Sequence, residues 1–221
     1  MRVLLKIVHT YFLIPLFLYT PIPLSAQQKA IEYTKDFEFK DGVYLTFFDF
    51  KFNRCIPVSR IIFNSNKGDK DFLKYVMDKS TFSYTDSLGK EQQVKTNSAW
   101  GYCSNGVIYI NHGTDFNRVT VIGAICHFVA TMPTRIGVND PFYNNDPFYN
   151  NQQYTYVTHQ YVIEFETGKV VEFNVDTMEM LLRKDDALYK DFTTLKKKQK
   201  RDSIFLYLRK FNEKHSIYFP E

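Results

Sequence analysis

The chain has 221 residues, 24% of them charged and 17% aromatic, with a formal net charge of +4 at pH 7. Arg2 and Lys6 supply two of those charges, so the stretch Gln27–Glu221 carries only +2, too weak a field to specify nucleic acid as a partner. That stretch of 195 residues suits one domain with its own core.

The first segment reads Met1-Arg2, then Lys6, then an apolar run from Ile7 to Leu24 without an acidic residue, closing on Leu24-Ser25-Ala26. A basic start, an apolar core and a small terminal residue are the parts of a secretory signal peptide, expected at 1–26 with cleavage after Ala26. An uncleaved anchor is the competing reading. It is disfavoured because Pro15, Pro21 and Pro23 interrupt a span that needs about 20 apolar residues in a helix. No cysteine follows the cut, so a bacterial lipid anchor is not indicated. No later stretch is apolar enough to cross a bilayer. The expectation is an exported protein that is periplasmic, attached to the outer envelope or extracellular.

After the signal segment, Asp41-Gly42 introduces Val43-Tyr44-Leu45. Thr46 with Asp49 three residues on has the pattern of a capping box, which predicts a short helix over Phe47–Asn53. Ser59–Asn64, with Arg60-Ile61-Ile62-Phe63, reads as a strand. Asp71–Lys79 is ambiguous, with Phe72, Tyr75 and Val76 at helical spacing. Asn105-Gly106 between Ala99–Cys103 and Val107–Ile110 is the strongest short hairpin signal, since both turn positions need positive φ. Arg118–Ala130 alternates through Val119, Val121 and Ile125 and reads as one or two strands. Tyr154–Phe165 and Lys169–Phe173 form a further hairpin around Glu166-Thr167-Gly168.

A hexapeptide, Asn139-Asp140-Pro141-Phe142-Tyr143-Asn144, is repeated without change at 145–150. Asn, Asp and Pro dominate it, so the segment 139–153 reads as a low-complexity surface loop. Towards the C-terminus, Asp176 is placed to cap a helix over Met178, Leu181 and Leu182. Asp185-Asp186 can open a longer helix with acids where the dipole favours them. The stripes Leu188, Phe192, Leu195 and Ile204, Phe205, Leu208, Phe211 are out of phase, so a bend or break is expected across Lys196–Asp202. Strands followed by helices predict a single α+β domain over 27–221. It would hold a mostly antiparallel sheet built from hairpins, a short N-terminal helix and C-terminal helices packed on the sheet.

Four strings carry a resemblance: Phe39–Thr46, Trp100-Gly101-Tyr102-Cys103, Tyr109-Ile110-Asn111 and Leu206–Asn212. They resemble those of an uncharacterised family of small secreted proteins from Bacteroidota, through most of the chain after the signal segment. The resemblance implies an envelope or extracellular setting and carries no catalytic residue across.

The familiar catalytic signatures are absent: no Gly-x-x-x-x-Gly-Lys, Gly-x-Gly-x-x-Gly, His-Glu-x-x-His, Cys-x-x-Cys or Gly-x-Ser-x-Gly occurs. Cys55, Cys103 and Cys126 allow one disulfide in an oxidising compartment, and Cys103 with Cys126 is the preferred pair against three buried free thiols. The cluster Cys103, His112, Cys126, His127 has metal-ligand chemistry. Adjacent Cys126 and His127 on a strand point to opposite faces, so no metal or other cofactor is expected. A thiol hydrolase would pair Cys103 or Cys126 with His112 or His159, and nothing local lowers either thiol's pKa. The basic run Lys196–Arg201 suits an anionic surface or the solvated face of a helix.

Phe142, Tyr143, Phe148 and Tyr149 in the repeat are candidate binding residues of the aromatic-platform kind. The reading that results is a secreted, non-enzymatic binding or structural module of the cell envelope, with an envelope protein or glycan as partner. A Cys/His hydrolase stands as the alternative.

Overall fold

The computed structural model describes residues 30–135 and 154–220. The expected signal peptide at 1–26 and the expected surface loop at 139–153, with Phe142, Tyr143, Phe148 and Tyr149, lie outside the described residues.

The N-terminal half begins with strands β1 (Ala30–Glu32) and β2 (Gly42–Tyr44), helix α1 (Phe47–Lys51) and strands β3 (Ile56–Pro57) and β4 (Ile61–Ile62). Helix α2 (Phe72–Met77) and the hairpin β5 (Thr81–Thr85) and β6 (Glu91–Lys95) follow. The capping box forms as the sequence predicts: the Asp49 N–H donates to Thr46 Oγ1 at 3.1 Å and the Thr46 N–H to Asp49 Oδ2 at 2.9 Å. The predicted strand at Ser59–Asn64 is mostly not one. Val58–Arg60 is a 3-10 turn, and only Ile61–Ile62 reaches a partner, β5. In the β5–β6 hairpin, β5 alternates as Thr-Phe-Ser-Tyr-Thr, but its partner β6 is Glu-Gln-Gln-Val-Lys, with one apolar residue and so little hydrophobic pattern.

The middle is a run of antiparallel strands: β7 (Gly101–Ser104), β8 (Val107–His112), β9 (Asp115–Val121), β10 (Ile125–Arg135), β11 (Tyr154–Glu164) and β12 (Val170–Glu172). The β7–β8 turn is the predicted one, with Asn105 at φ +51° and Gly106 at +73°. The large sheet has eight strands among the described residues, in the order β12-β11-β10-β9-β8-β7-β2-β3.

Helices α3 (Val175–Leu182), α4 (Asp186–Thr194) and α5 (Lys197–Lys214) then pack on the sheet, and β13 (Tyr218–Pro220) returns to pair with β1. Asn174, not Asp176, caps α3, its Oδ1 accepting the Thr177 N–H at 2.9 Å. Asp185 caps α4, accepting the Leu188 N–H and ion-pairing with Lys214. These contacts hold its carboxyl down at about 2. The expected break falls at Leu195-Lys196, and α5 runs on from Lys197 without interruption. The fold is therefore α+β, with a mostly antiparallel sheet and C-terminal helices. No described helix is long and apolar enough to cross a membrane.

Alternation along the strands divides the core. Tyr44, Cys103, Ile108, Cys126 and Ile163 face a cluster that includes Phe50, Phe128, Phe165 and Phe219. Ile125 and Val162 point the other way, onto Met178, Leu182, Phe192 and Leu208 of the helices. Val43 and Tyr102 also face away from the first cluster, at the far end of the sheet, onto Ile61, Phe72, Val76 and Phe82. Asn212 clamps α5 to the sheet: its Oδ1 accepts the Ile125 N–H at 2.8 Å and its Nδ2 donates to the Ile125 carbonyl at 2.9 Å.

Candidate functional site

The cysteines and histidines occupy separate places. Cys103 is buried on β7, and its thiol donates to Asp41 Oδ1 at 3.3 Å. Burial, then the Asp41 carboxylate, pushes that thiol's pKa well up. Cys126 is buried on β10 and donates to the Gly123 carbonyl at 3.3 Å, and burial pushes its thiol up to about 12. Cys55 donates to the Asp41 carbonyl at 3.6 Å, with its pKa also raised by burial.

All three cysteines are free. The expected Cys103–Cys126 disulfide is not formed. β7 and β10 stand three positions apart in the sheet, about 14 Å at the usual strand spacing, whereas a disulfide needs Cα atoms within about 7 Å. Cys103 and Cys126 in the folded protein are expected to resist alkylation at pH 8 and to react once it unfolds. Mass spectrometry of native and urea-unfolded samples checks this, and rapid native modification of either would contradict the burial described.

No histidine hydrogen-bonds a cysteine among the described residues. The His112 ring lies against Tyr161 and Phe128, with centroids 4.4 and 5.4 Å away, and its Nε2 has no partner among the described residues. Burial lowers its pKa. His127 is occupied by Thr120 Oγ1 at 2.8 Å and Gln160 Oε1 at 3.0 Å. His159 sits 3.3 Å from Glu172 Oε1. Among the described residues, no group of three or more His, Cys, Asp or Glu is placed to hold a metal ion. The basic run opens α5, where Lys200 pairs with Glu179 at 2.6 Å.

Sequence reasoning did not single out a polar cleft of about 800 Å³ on the face that carries Tyr102. One wall is the end of α2 and the start of β5, from Lys74 to Thr81. The floor comes from Lys95, Thr96 and Asn97 after β6 and from Tyr102 on β7. The other wall is Asn111, Thr114, Asp115 and Phe116 at the β8–β9 turn.

Two groups set this cleft apart. Thr96 is 3% exposed and its Oγ1 has no hydrogen-bond partner among the described residues. Tyr102 is 5% exposed, and its phenol makes no hydrogen bond to them either. Burial and the nearby Tyr109, Asp78 and Asp71 raise the Tyr102 pKa, so the phenol stays a neutral donor. The ring is fixed by stacking on Tyr109, with centroids 4.8 Å apart and planes 9° from parallel, and by the edge of Phe116 at 5.3 Å. Asn111 Nδ2 donates to the Asn97 and Ala99 carbonyls at 2.8 and 3.1 Å, which leaves its Oδ1 as an open acceptor.

Buried hydroxyls are ordinarily satisfied, and leaving one without a partner costs about 1–3 kcal/mol. Thr96 Oγ1 is such a group, and the Tyr102 phenol beside it keeps a free donor for water or a ligand. The signal available in the sequence was faint: Tyr102 and Asn111 lie in strings of the family resemblance, but nothing linked them to Thr96 or Phe116.

No curated protein and no solved structure matches the chain. Residues 42–215 match the model of a family of unknown function, DUF6563, a span that holds every residue of the cleft, and the chain belongs to that family.

Proposed function

We propose that the chain is an exported, non-enzymatic binding module of the envelope of a Bacteroidota cell, and that the cleft between α2, β6 and the β8–β9 turn holds its ligand. The observation that carries this reading is the Thr96 Oγ1 hydroxyl, buried and without a partner among the described residues, at a cleft of about 800 Å³ that the Tyr102 side chain also lines. That volume falls among small-molecule sites, which span roughly 300–1,000 Å³. Binding rather than turnover is supported by the arrangement of the nucleophiles. The thiols donate to Asp41 and Gly123, their pKa values are raised, and no histidine hydrogen-bonds them among the described residues. Export is supported by the segment Met1–Ala26.

The test is a titration of isotope-labelled Gln27–Glu221 with the low-molecular-mass fraction of a digested Bacteroidota envelope, followed by NMR. Shifts are expected to centre on Thr96, Tyr102, Asn111 and Phe116 and to vanish in Thr96→Val combined with Tyr102→Phe, two substitutions that keep side-chain volume. Each lost hydrogen bond should weaken binding by about 2- to 13-fold. Shifts confined to other surfaces, or unaffected by the double substitution, would remove the cleft as the site. The intact mass of the secreted protein tests export: a chain beginning at Gln27 supports it, and one retaining Met1 refutes cleavage.

A further inference from the structure

We propose that the ligand of the cleft is an anionic saccharide, an oligosaccharide bearing carboxylate or sulfate groups; this rests on the cleft being the binding site. Three features of the lining carry it.

The first is the kind of polar group present. A sugar hydroxyl both donates and accepts, so it suits sites that mix hydroxyls, amides and carboxylates. The cleft offers the Tyr102 phenol, the free Oδ1 of Asn111 and the exposed carboxylate of Asp78, with the buried Thr96 hydroxyl beneath.

The second is the apolar part of the lining, which is aromatic. Half-buried Phe116 stands at the wall, held against Tyr102. A flat ring face complements the C–H face of a pyranose, with its edges left to hydrogen bonds. Met77 is the one aliphatic side chain in the lining, so a peptide ligand would lack apolar anchor pockets there.

The third feature is charge. Lys74, Lys79 and Lys95 line the cleft and are exposed, and their ammonium groups make no ion pair or hydrogen bond with the described residues. The lining thus carries three lysines against two aspartates, a net charge of +1 that favours an anion on the ligand.

The experiment compares three short oligosaccharides of equal length, one a galacturonate, one the corresponding neutral galactose oligomer and one a sulfated form. Each is titrated by calorimetry and NMR into Gln27–Glu221 at 20 and 200 mM NaCl. The charged forms are expected to bind about tenfold more tightly than the neutral one at low salt, with shifts at Thr96, Tyr102 and Phe116. The gap is expected to narrow at high salt and in Lys74→Gln, Lys79→Gln, Lys95→Gln together, a surface variant that retains the fold. The tighter of the two charged forms identifies the anion.

Equal affinity for neutral and charged sugars, or a gap that ignores salt and the lysine variant, would overturn the inference while leaving the cleft as a site. An acidic peptide shifting the same residues with equal affinity would overturn the saccharide class. Failure of every sugar to shift cleft residues would overturn it as well, and the envelope-digest titration then decides separately whether the cleft binds anything.

Discussion

Phe50→Ala is expected to lower stability by about 3–5 kcal/mol, measured as the shift in the urea unfolding midpoint at constant slope. Phe50 is 1% exposed and sits on α1, a helix of five residues that adds little stability of its own. Its ring stacks on Trp100 with centroids 4.6 Å apart and planes at 19°. It also meets Phe39, Tyr44, Phe165 and Phe219 at 5.7 to 6.1 Å. Those residues come from the segment before β2, from β2 itself, from the residue just after β11 and from β13. One ring therefore ties both ends of the described chain to the sheet.

Truncation removes the transfer free energy of the ring and leaves a hole that neighbours on five separate segments cannot all move to fill. Trp100 is the chain's single tryptophan, so its emission should shift to the red in the variant while the protein remains folded. A cost below about 1 kcal/mol, with unchanged emission, would mean that the aromatic cluster collapses freely and is not the central support assigned to it.

Gly42→Ala is expected to cost about 2–4 kcal/mol, the sum of backbone strain and overpacking. Gly42 sits at φ +155°, and a Cβ built there lies 2.2 Å from the Ile56 carbonyl oxygen and 2.8 Å from Cys55 Sγ. The clash is with the backbone of the paired strand β3, so a rotamer change cannot relieve it. The next residue back, Asp41, accepts the Asn105 N–H at 3.1 Å and the Gly106 N–H at 3.2 Å, bracing the β7–β8 turn. Displacing β2 would therefore disturb two hairpins together.

Gly89→Ala is the control. Gly89 has φ +78° with open space around its position, so its cost is strain alone, about 1–2 kcal/mol. Thermal unfolding of both variants gives the comparison. Equal Tm values would mean that β3 gives way and that the close packing at Gly42 carries no weight.

Local chemistry was legible wherever a short string dictates its own geometry. Asn105-Gly106 required positive φ and took it, Thr46 and Asp49 formed their capping box, and Asp185 opened a helix as its side chain allows. Asn174 outcompeted Asp176 as the α3 cap because Phe173 is still held by a strand-like hydrogen bond to Gln160 O, which fixes where the helix can begin. The β1–β13 pair was invisible because each strand is three residues long and its partner lies at the other end of the chain. The three cysteines illustrate the same limit: their number permits one disulfide, but the strand order keeps β7 and β10 apart.

The sequence by itself determined the class of this protein: an α+β chain of hairpins and C-terminal helices, because turn residues, caps and apolar spacing act within a few positions of themselves. Only the tertiary structure decided where a ligand could sit. Thr96, Tyr102, Asn111 and Phe116 belong to different elements, and strand pairing and the packing of α2 bring them around one cleft. Whether a hydroxyl in that cleft is left without a partner depends on every chain segment around it, and no window of sequence contains that information.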